Sequence, residues 1–273
     1  MRLVIIITLS CGLAVTSARA QDLYCCYKAY RAERAGDYDL AIDLFSCCLD
    51  QEDVSVESLA KTYTGRGITY IAKSDYDQAI RDFNEAIRLD PNLADAYYNR
   101  GVAHYHKGDY DQALQDYDEA IRLGPSAAEA YLGRGLAYRH KGENDRAIQD
   151  FTAAIELRHQ VPEVYVNRGA VYLEGGDYQQ AIKDFNQAIF LNPNAAQAYY
   201  NRGLAHQKMG DSKLAKRDYD RAIDLDPASP VTLRITRAPS SRSSIPHSPI
   251  PSRVTNSSAR EIMKRPSGTI LRP

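Results

Sequence analysis

The sequence lacks the residue constellations on which most enzymes and membrane proteins depend. No Ser–His–Asp arrangement, nucleotide-cradling glycine loop or Glu-x-x-His pair stands out among its 273 residues. We therefore expect neither catalysis nor a bound cofactor. Tryptophan is absent, whereas tyrosine occurs 20 times. Beyond the first 20 residues, no apolar run approaches the roughly 18–20 residues that cross a bilayer.

The total charge is nearly balanced, but its distribution is uneven. The formal net charge is −1, from 34 basic and 35 acidic residues. Residues 1–20 carry +2 and residues 231–273 carry +7, which leaves −10 for residues 21–230. A partner would therefore meet an acidic body and a basic tail.

The first 20 residues have the pattern of a secretory signal peptide. Arg2 precedes an apolar run over residues 3–15, and an Ala-Arg-Ala triplet follows at residues 18–20. We expect cleavage after Ala20 and an exported mature chain, periplasmic or secreted, without a transmembrane span. A membrane anchor is the alternative, which the shortness of the run disfavours. A lipoprotein signal at Cys11 fits less well, because few apolar residues precede that cysteine.

A 34-residue period dominates the rest of the chain. The dipeptide Arg-Gly recurs five times at this spacing, at residues 66–67, 100–101, 134–135, 168–169 and 202–203. Seven residues after each of these glycines comes a turn sequence, such as Gly108-Asp109. A fixed period of this length is typical of a solenoid, in which each unit buries its apolar face by stacking on its neighbours.

Each unit is predicted to contain two helices. In the second unit these are expected over residues 60–73 and 75–89. A glycine is expected to end the first helix in the left-handed conformation. It stands at positions 108, 142, 176 and 210. An aspartate is expected to cap the second helix with its side chain. It stands at positions 75, 109, 177 and 211.

Columns of equivalent residues predict how the two helices pack. Gly67 and its equivalents are expected to face the alanine column that begins at Ala79, so that the helices can approach closely. An aromatic column that begins at Phe83 fills the adjacent space. Ile and Leu columns complete an apolar stripe at helical spacing.

This pattern resembles the tetratricopeptide repeat. The second unit supplies the residue types of that family in order: Tyr63, Gly67, Tyr70, Ala79, Phe83, Ala86 and Pro91. Five units match over residues 60–229, and a degenerate unit spans residues 21–59. The resemblance implies an all-α fold, a right-handed superhelical solenoid of about six helical hairpins.

The degenerate unit contains all four cysteines that follow the signal sequence. Cys25 and Cys26 belong to its first helix, and Cys47 and Cys48 lie late in its second helix. In an oxidising compartment an even number of cysteines indicates disulfide bonds. We expect at least one bond between the helices, preferably Cys25–Cys48. Buried free thiols remain an alternative, whereas metal binding is disfavoured because adjacent cysteines lack the usual ligand spacing.

Every complete unit also has Arg in the column of Arg66 and Asp in the column of Asp82. In antiparallel helices these columns lie at about the same height, so we predict Arg–Asp pairs. Each would contribute roughly 0–1 kcal/mol if exposed, which suggests that the pairs fix geometry more than stability. Two solvated charge columns are the alternative.

The histidines do not predict a metal site. His104 and His106 are two apart, and residues at that spacing on a helix point to different faces. His106 and His140 would lie roughly 10 Å apart in consecutive units, too far for one ion. His104 and His206 share the column of Tyr70, where we expect packed histidines with a hydrogen bond.

The resemblance further implies that partners bind in a concave groove lined by the first helix of each unit. Tyr and Asn suit this task, because a ring offers area with a polar tip and an amide can bond a peptide backbone. The alternative is that these residues only pack one helix on the next. The predicted groove residues are Tyr98, Asn99, Leu132, Val166, Asn167, Tyr200 and Asn201.

The predicted groove is unsuited to an acidic peptide. Family members that bind acidic chaperone tails use Lys and Asn in the columns of Thr64 and Ile68, and this chain has neither there. Acids stand at the rim instead, at Asp95, Glu129 and Glu163. We expect a protein or peptide partner that is neutral or basic, and no nucleic acid. The alternative function is assembly of a cell-envelope complex through the convex face or the ends.

Residues 230–273 are rich in Ser, Pro and Arg and are predicted to be a disordered basic tail. No additional helix is evident to cover the last apolar face. We therefore expect Ile223 and its neighbours to be exposed and to support self-association through the last repeat. A further hypothesis is that the basic tail docks transiently in the acidic groove.

Overall fold

The computed structural model describes residues 25–51, 54–124, 127–158 and 160–227, and its regular structure there is entirely α-helical. Residues 25–35 form α1. The following helices are α2 (Tyr38–Leu49), α3 (Val56–Ala72), α4 (Tyr76–Leu89), α5 (Ala94–Lys107), α6 (Tyr110–Leu123), α7 (Ala128–His140), α8 (Asn144–Leu157), α9 (Pro162–Glu174), α10 (Tyr178–Leu191), α11 (Ala196–Lys208) and α12 (Ser212–Leu225). The predicted all-α repeat fold is confirmed.

The helices pair in chain order as hairpins, each with a first and a second helix. The chain divides into two compact units, residues 1–125 and 126–273. The first unit contains hairpins α1–α2, α3–α4 and α5–α6. The second contains α7–α8, α9–α10 and α11–α12.

Both units have cores that join consecutive hairpins. In the first unit, Phe83 of α4 packs in one cluster with Ile71 of its own hairpin and Ala103 of the next. In the second unit, Phe185 of α10 packs with Tyr200 of α11 in the same way. Within each unit, α4 and α10 thus bury their apolar faces against two first helices, as stacked repeats do.

Glycine ends the first helices as predicted. The residues at positions 108, 142, 176 and 210 have φ between 76° and 91°, the left-handed region that glycine enters without a Cβ clash. In the α3–α4 hairpin, Ser74 takes this place with φ 64°.

The aspartate caps are only partly as predicted. Asp75 and Asp177 accept hydrogen bonds from the backbone nitrogens of Gln78 and Gln180. Asp109 and Asp211 make no such bond in the described part of the chain. The Asp109 carboxylate instead lies 3.7 Å from Nδ1 of His104 and 4.0 Å from Nζ of Lys107.

The nearest side chain to each glycine of this column is an aromatic ring rather than the predicted alanine. The alanine approaches through its backbone oxygen in two hairpins, where Ala113 would lie 3.3 Å from a Cβ on Gly101 and Ala215 would lie 3.2 Å from one on Gly203. A Cβ on Gly67 would lie 2.7 Å from the ring of Phe83, and one on Gly135 would lie 2.8 Å from the ring of Phe151. The aromatic side chain reaches across the hairpin from the second helix and fills the space beside the glycine. The glycine therefore makes room for the ring.

None of the helices within the described ranges has the length and apolarity that crossing a membrane requires. The predicted signal peptide (residues 1–20) and basic tail (230–273) lie outside the described residues, as does the tail-docking hypothesis.

Candidate functional site

The predicted groove residues lie on four first helices: Tyr98 and Asn99 on α5, Leu132 on α7, Val166 and Asn167 on α9, and Tyr200 and Asn201 on α11. Six of the seven are buried, and Tyr98 alone is half-buried. Tyr200 is 0 % exposed, and its ring packs 5.7 Å from that of Tyr219. Packing is therefore the role that the structure shows for these six side chains, and partner binding stays a prediction.

Tyr98 belongs to a more accessible stripe on α5. Asp95 is exposed, and Tyr98, Val102 and Tyr105 are half-buried. Their spacing of three, four and three residues places them along one helix face. We call Asp95, Tyr98, Val102 and Tyr105 the α5 stripe. Within the first unit, this surface offers apolar area, two phenol groups and a carboxylate.

The asparagine column differs from helix to helix. Asn99 donates from Nδ2 to the carbonyl of Asp95 at 2.7 Å, within its own helix. Asn201 is 0 % exposed, and neither polar atom of its side chain has a hydrogen-bond partner among the described residues. Its environment thus differs from that of Asn99, although both belong to one column.

The rim acids are partly neutralised. Glu129 of α7 forms an ion pair with Arg158, whereas Glu163 is exposed. Within the second unit, Arg139 of α7 binds Glu174 of α9 at 2.6 Å, and the Arg139 side chain is only 6 % exposed. This pair links two consecutive first helices.

The Arg–Asp pairs are confirmed within all five complete hairpins. The guanidinium nitrogens lie 2.6–3.0 Å from the carboxylates, with both oxygens engaged. The aspartates are buried, which the sequence did not reveal. These hydrogen bonds raise the pKa of Arg66 and Arg168 above the ordinary arginine value. The pairs are Arg66–Asp82, Arg100–Asp116, Arg134–Asp150, Arg168–Asp184 and Arg202–Asp218.

Arginines of this column also connect neighbouring hairpins. Nη1 of Arg100 donates to Asn84 at 2.7 Å, and Nη1 of Arg202 donates to Asn186 at 2.6 Å. Arg66 and Arg168 reach Ser46 and Thr152 in the same manner. Each guanidinium further lies 5.3–5.9 Å from the ring of the tyrosine three residues earlier. These four arginines therefore fix both their own hairpin and its stacking on the preceding one.

Two histidines lie beside these pairs. Nε2 of His104 is 4.0 Å from Asp116, and Nε2 of His206 is 3.9 Å from Asp218. Each Nδ1 is buried without a hydrogen-bond partner among the described residues. The predicted packing is correct, but the predicted hydrogen bond is absent among the described residues.

His106 is placed differently from these two. It stacks on Tyr76 with ring centroids 5.3 Å apart, and burial lowers its pKa. Within the described ranges, no group of three or more potential ligands is arranged to hold a metal ion.

A disulfide bond joins Cys26 of α1 to Cys48 of α2, with Cα atoms 5.7 Å apart. The predicted cross-helix bond is present, but the preferred partner Cys25 was wrong. Sγ of Cys25 lies 4.0 Å from Sγ of Cys47 instead. Neighbouring residues on a helix point about 100° apart, so the two cysteine pairs meet side by side.

The outer face of the last hairpin is charged. A recess of about 540 Å³ lies on α11 and α12. Ile223 is half-buried rather than exposed, and the exposed large apolar side chains of this hairpin are Met209 and Leu214 within the described residues. The recess is lined by Tyr199, Arg202, Lys213, Lys216, Arg217, Asp218, Asp220, Arg221 and Asp224.

Sequence reasoning missed Tyr105 and this basic face. Tyr105 follows Tyr98 by seven residues, a helical spacing that could have placed it beside the groove residues. Lys213, Arg217 and Arg221 follow one another at four-residue spacing, which could have predicted a basic helix face.

Comparison with known proteins identifies the repeat. The Tetratricopeptide repeat profile matches residues 64–127 and 107–162, and a second such profile matches residues 196–229. The TPR repeat profile matches residues 169–210. A search of curated proteins gives no match.

Solved structures with the same fold are numerous. A MamA protein is 26 % identical, with a TM-score of 0.57, and the match covers 62 % of this chain and 93 % of that one. YrrB, described as a TPR protein with an unusual peptide-binding site, is 21 % identical, with a TM-score of 0.57 and coverages of 70 % and 97 %. PilF of Pseudomonas aeruginosa is 16 % identical, with a TM-score of 0.67 and coverages of 79 % and 96 %.

Proposed function

We propose that this chain, which belongs to the tetratricopeptide-repeat family, is a non-enzymatic scaffold. It binds a peptide or protein segment along its first helices. The observation that carries the proposal is the α5 stripe. Its two tyrosines and Val102 remain partly accessible, although the other six predicted groove residues are buried. Half-exposed aromatic side chains bind partners at low conformational cost.

The chemistry of this surface favours a neutral or basic segment. Asp95 is exposed at the start of the stripe, and residues 21–230 carry −10. An acidic peptide would meet like charge, which weakens association. The structural neighbour YrrB is described as having a peptide-binding site, which makes a peptide the first ligand class to test.

The test is capture of peptides from an array of neutral, basic and acidic sequences by the purified chain. We expect neutral and basic peptides to bind through the α5 stripe, and Tyr98→Ala to lose them. Acidic peptides that bind the parent chain and Tyr98→Ala equally would be bound outside the stripe. Phe190→Ala provides a matched control, because Phe190 is an aromatic residue of the second helix α10 that is 78 % exposed. Equal binding by Tyr98→Ala and the parent chain would contradict the proposal.

Phe190 also supports a second candidate function. Aromatic residues are enriched at protein interfaces, so assembly of a cell-envelope complex through the convex face or the ends is the alternative. In that case Phe190→Ala abolishes capture of a protein partner and Tyr98→Ala preserves it. The two variants thus separate the two functions.

Export of the chain belongs to the same proposal. It is supported by the signal-peptide pattern and by the pairing of Cys26 with Cys48, since disulfides persist in oxidising compartments. Sequencing the N-terminus of protein made in a bacterial host, after separation of periplasm and cytoplasm, tests it. A mature chain that retains residues 1–20 in the cytoplasm would contradict export.

A further inference from the structure

The outer face of α12 reverses a charge pattern by which hairpins of the first unit pair. Asp39 and Asp77 occupy equivalent positions near the start of their second helices. Lys73 of the next hairpin binds Asp39, and Lys107 binds Asp77 at 2.6 Å. In the last hairpin this position holds Lys213. A following hairpin of the same type would therefore bring a lysine against a lysine.

The apolar position of this face is replaced as well. Ile80 and Ile182 pack in cores that include residues of the following hairpin. The equivalent residue of α12 is Lys216, whose side chain is 77 % exposed and binds Asp220 at 2.7 Å. The face that stacks elsewhere is thus polar here, as the end of an array requires.

The recess on this face has more basic than acidic side chains. Five basic and three acidic side chains line it. Arg202 is paired with Asp218 and Lys216 with Asp220. That leaves Lys213, Arg217 and Arg221 against Asp224.

These three basic side chains form one line along the helix. They stand at residues 213, 217 and 221, so they share a face of α12. None of the three has an ion-pair partner within the described ranges, and the Arg221 guanidinium lies 6.0 Å from the ring of Tyr199.

We propose that this recess binds an acidic segment of a partner protein. The two arginine forks suit carboxylates, with which they form paired hydrogen bonds. A first helix of a second copy is a poor occupant, since α1 presents exposed basic side chains at Lys28, Arg31 and Arg34. The site is separate from the α5 stripe and does not depend on the function proposed for it.

The test uses a fluorescently labelled peptide of about ten glutamates and measures its binding to the full chain by anisotropy at low and physiological salt. We expect binding that weakens with salt, and a loss of at least about tenfold in the triple variant Lys213→Glu, Arg217→Glu, Arg221→Glu. Arg81→Glu is the matched control, because Arg81 is the exposed α4 equivalent of Arg217. It should leave the affinity unchanged.

Three results would overturn the proposal. The first is an absence of binding by the parent chain at low salt, which would make this face only a solvated cap. The second is unchanged affinity in the triple variant. The third is equally tight binding of single-stranded DNA or anionic lipid vesicles at the same recess, which would indicate general attraction of polyanions. If the triple variant folds poorly by circular dichroism, Arg217→Ala with Arg221→Ala replaces it.

Discussion

The first and last hairpins each have one neighbouring hairpin among the described residues. The contacts that join the two helices differ between these two hairpins. In α1–α2 the Arg–Asp pair is missing, since Leu44 stands in the aspartate column, and a disulfide bond joins Cys26 to Cys48. In α11–α12 the pair Arg202–Asp218 is retained, and the outer face is charged. A terminal hairpin lacks one of the interfaces that stabilise interior ones. The comparison shows that a covalent bond and an ion pair can both hold such a hairpin closed.

The largest effect is expected from breaking the covalent bond. Cys26→Ser removes a crosslink between residues 22 apart in sequence, which the loop-entropy model values at about 3 kcal/mol. Hydrogen exchange of the backbone amides in α2 should accelerate accordingly, while exchange in α12 should not change. Cys25→Ser is the control, because it preserves the Cys26–Cys48 bond. Equal protection of α2 in both variants would contradict the prediction.

The corresponding change in the last hairpin is Asp218→Asn, which retains the shape of the side chain and removes its charge. Arg202 then loses a charged partner, at a cost of about 2 kcal/mol. Exchange should accelerate in α11 and α12 rather than in α2. Asp220→Asn, in the exposed pair with Lys216, should cost less than about 0.5 kcal/mol. Comparable losses in the two variants would show that burial of Asp218 is unimportant.

A smaller and more variable cost is expected at the glycine column, where the two ends also differ. The first hairpin has a buried Ala29 at this position, whereas a Cβ on Gly203 would lie 2.8 Å from the ring of Tyr219. Gly203→Leu should destabilise α11–α12 by about 1–3 kcal/mol through overpacking. Thermal unfolding measures this loss. A variant that melts like the parent chain would refute the ring contact.

The smallest effect is a difference in pH response between the first hairpin and α5–α6. Burial raises the pKa of Glu33 on α1, so the folded state gains stability as pH falls toward that raised pKa. Burial lowers the pKa of His106 on α5, so the unfolded state binds more protons as pH falls through about 6.5, and stability is lost.

Exchange measured at about pH 7.5 and 5.5, after correction for the intrinsic rate, should therefore show weaker protection of α5 and α6 at the lower pH. His106→Phe can maintain the stack on Tyr76 and should remove this dependence. The same pH slope in that variant would assign the effect to another group.

The repeat arrangement could be predicted from sequence because it depends on periodic columns. Arg66 and Asp82 recur together in every complete unit, and antiparallel pairing brings such columns to one height. Side-chain direction within a column was harder to predict. The ring of Phe83 crosses over Gly67, and the bond forms from Cys26 rather than Cys25, because each outcome depends on rotation about the helix axis.

The candidate site was less predictable for the same reason. Tyr98 and Tyr200 are equivalent in sequence, yet Tyr98 is half-buried and Tyr200 is 0 % exposed. The accessibility of a side chain depends on the residues that neighbour its helix. A repeat pattern describes what the units share and does not give these differences. The identity of a partner depends on that accessible surface and therefore requires the binding experiments above.

The spacing of the arginine contacts has an evolutionary consequence. Arg100 and Arg202 each contact a residue 16 positions ahead and another 16 positions behind. Insertion of residues inside a helix would disrupt one of these contacts, whereas duplication or deletion of an entire 34-residue unit preserves both. Removal of residues 162–195, for example, would place Thr152 where Asn186 now accepts from Arg202. The contact pattern therefore permits the array to lengthen or shorten by whole repeats while each new junction is formed from existing partners.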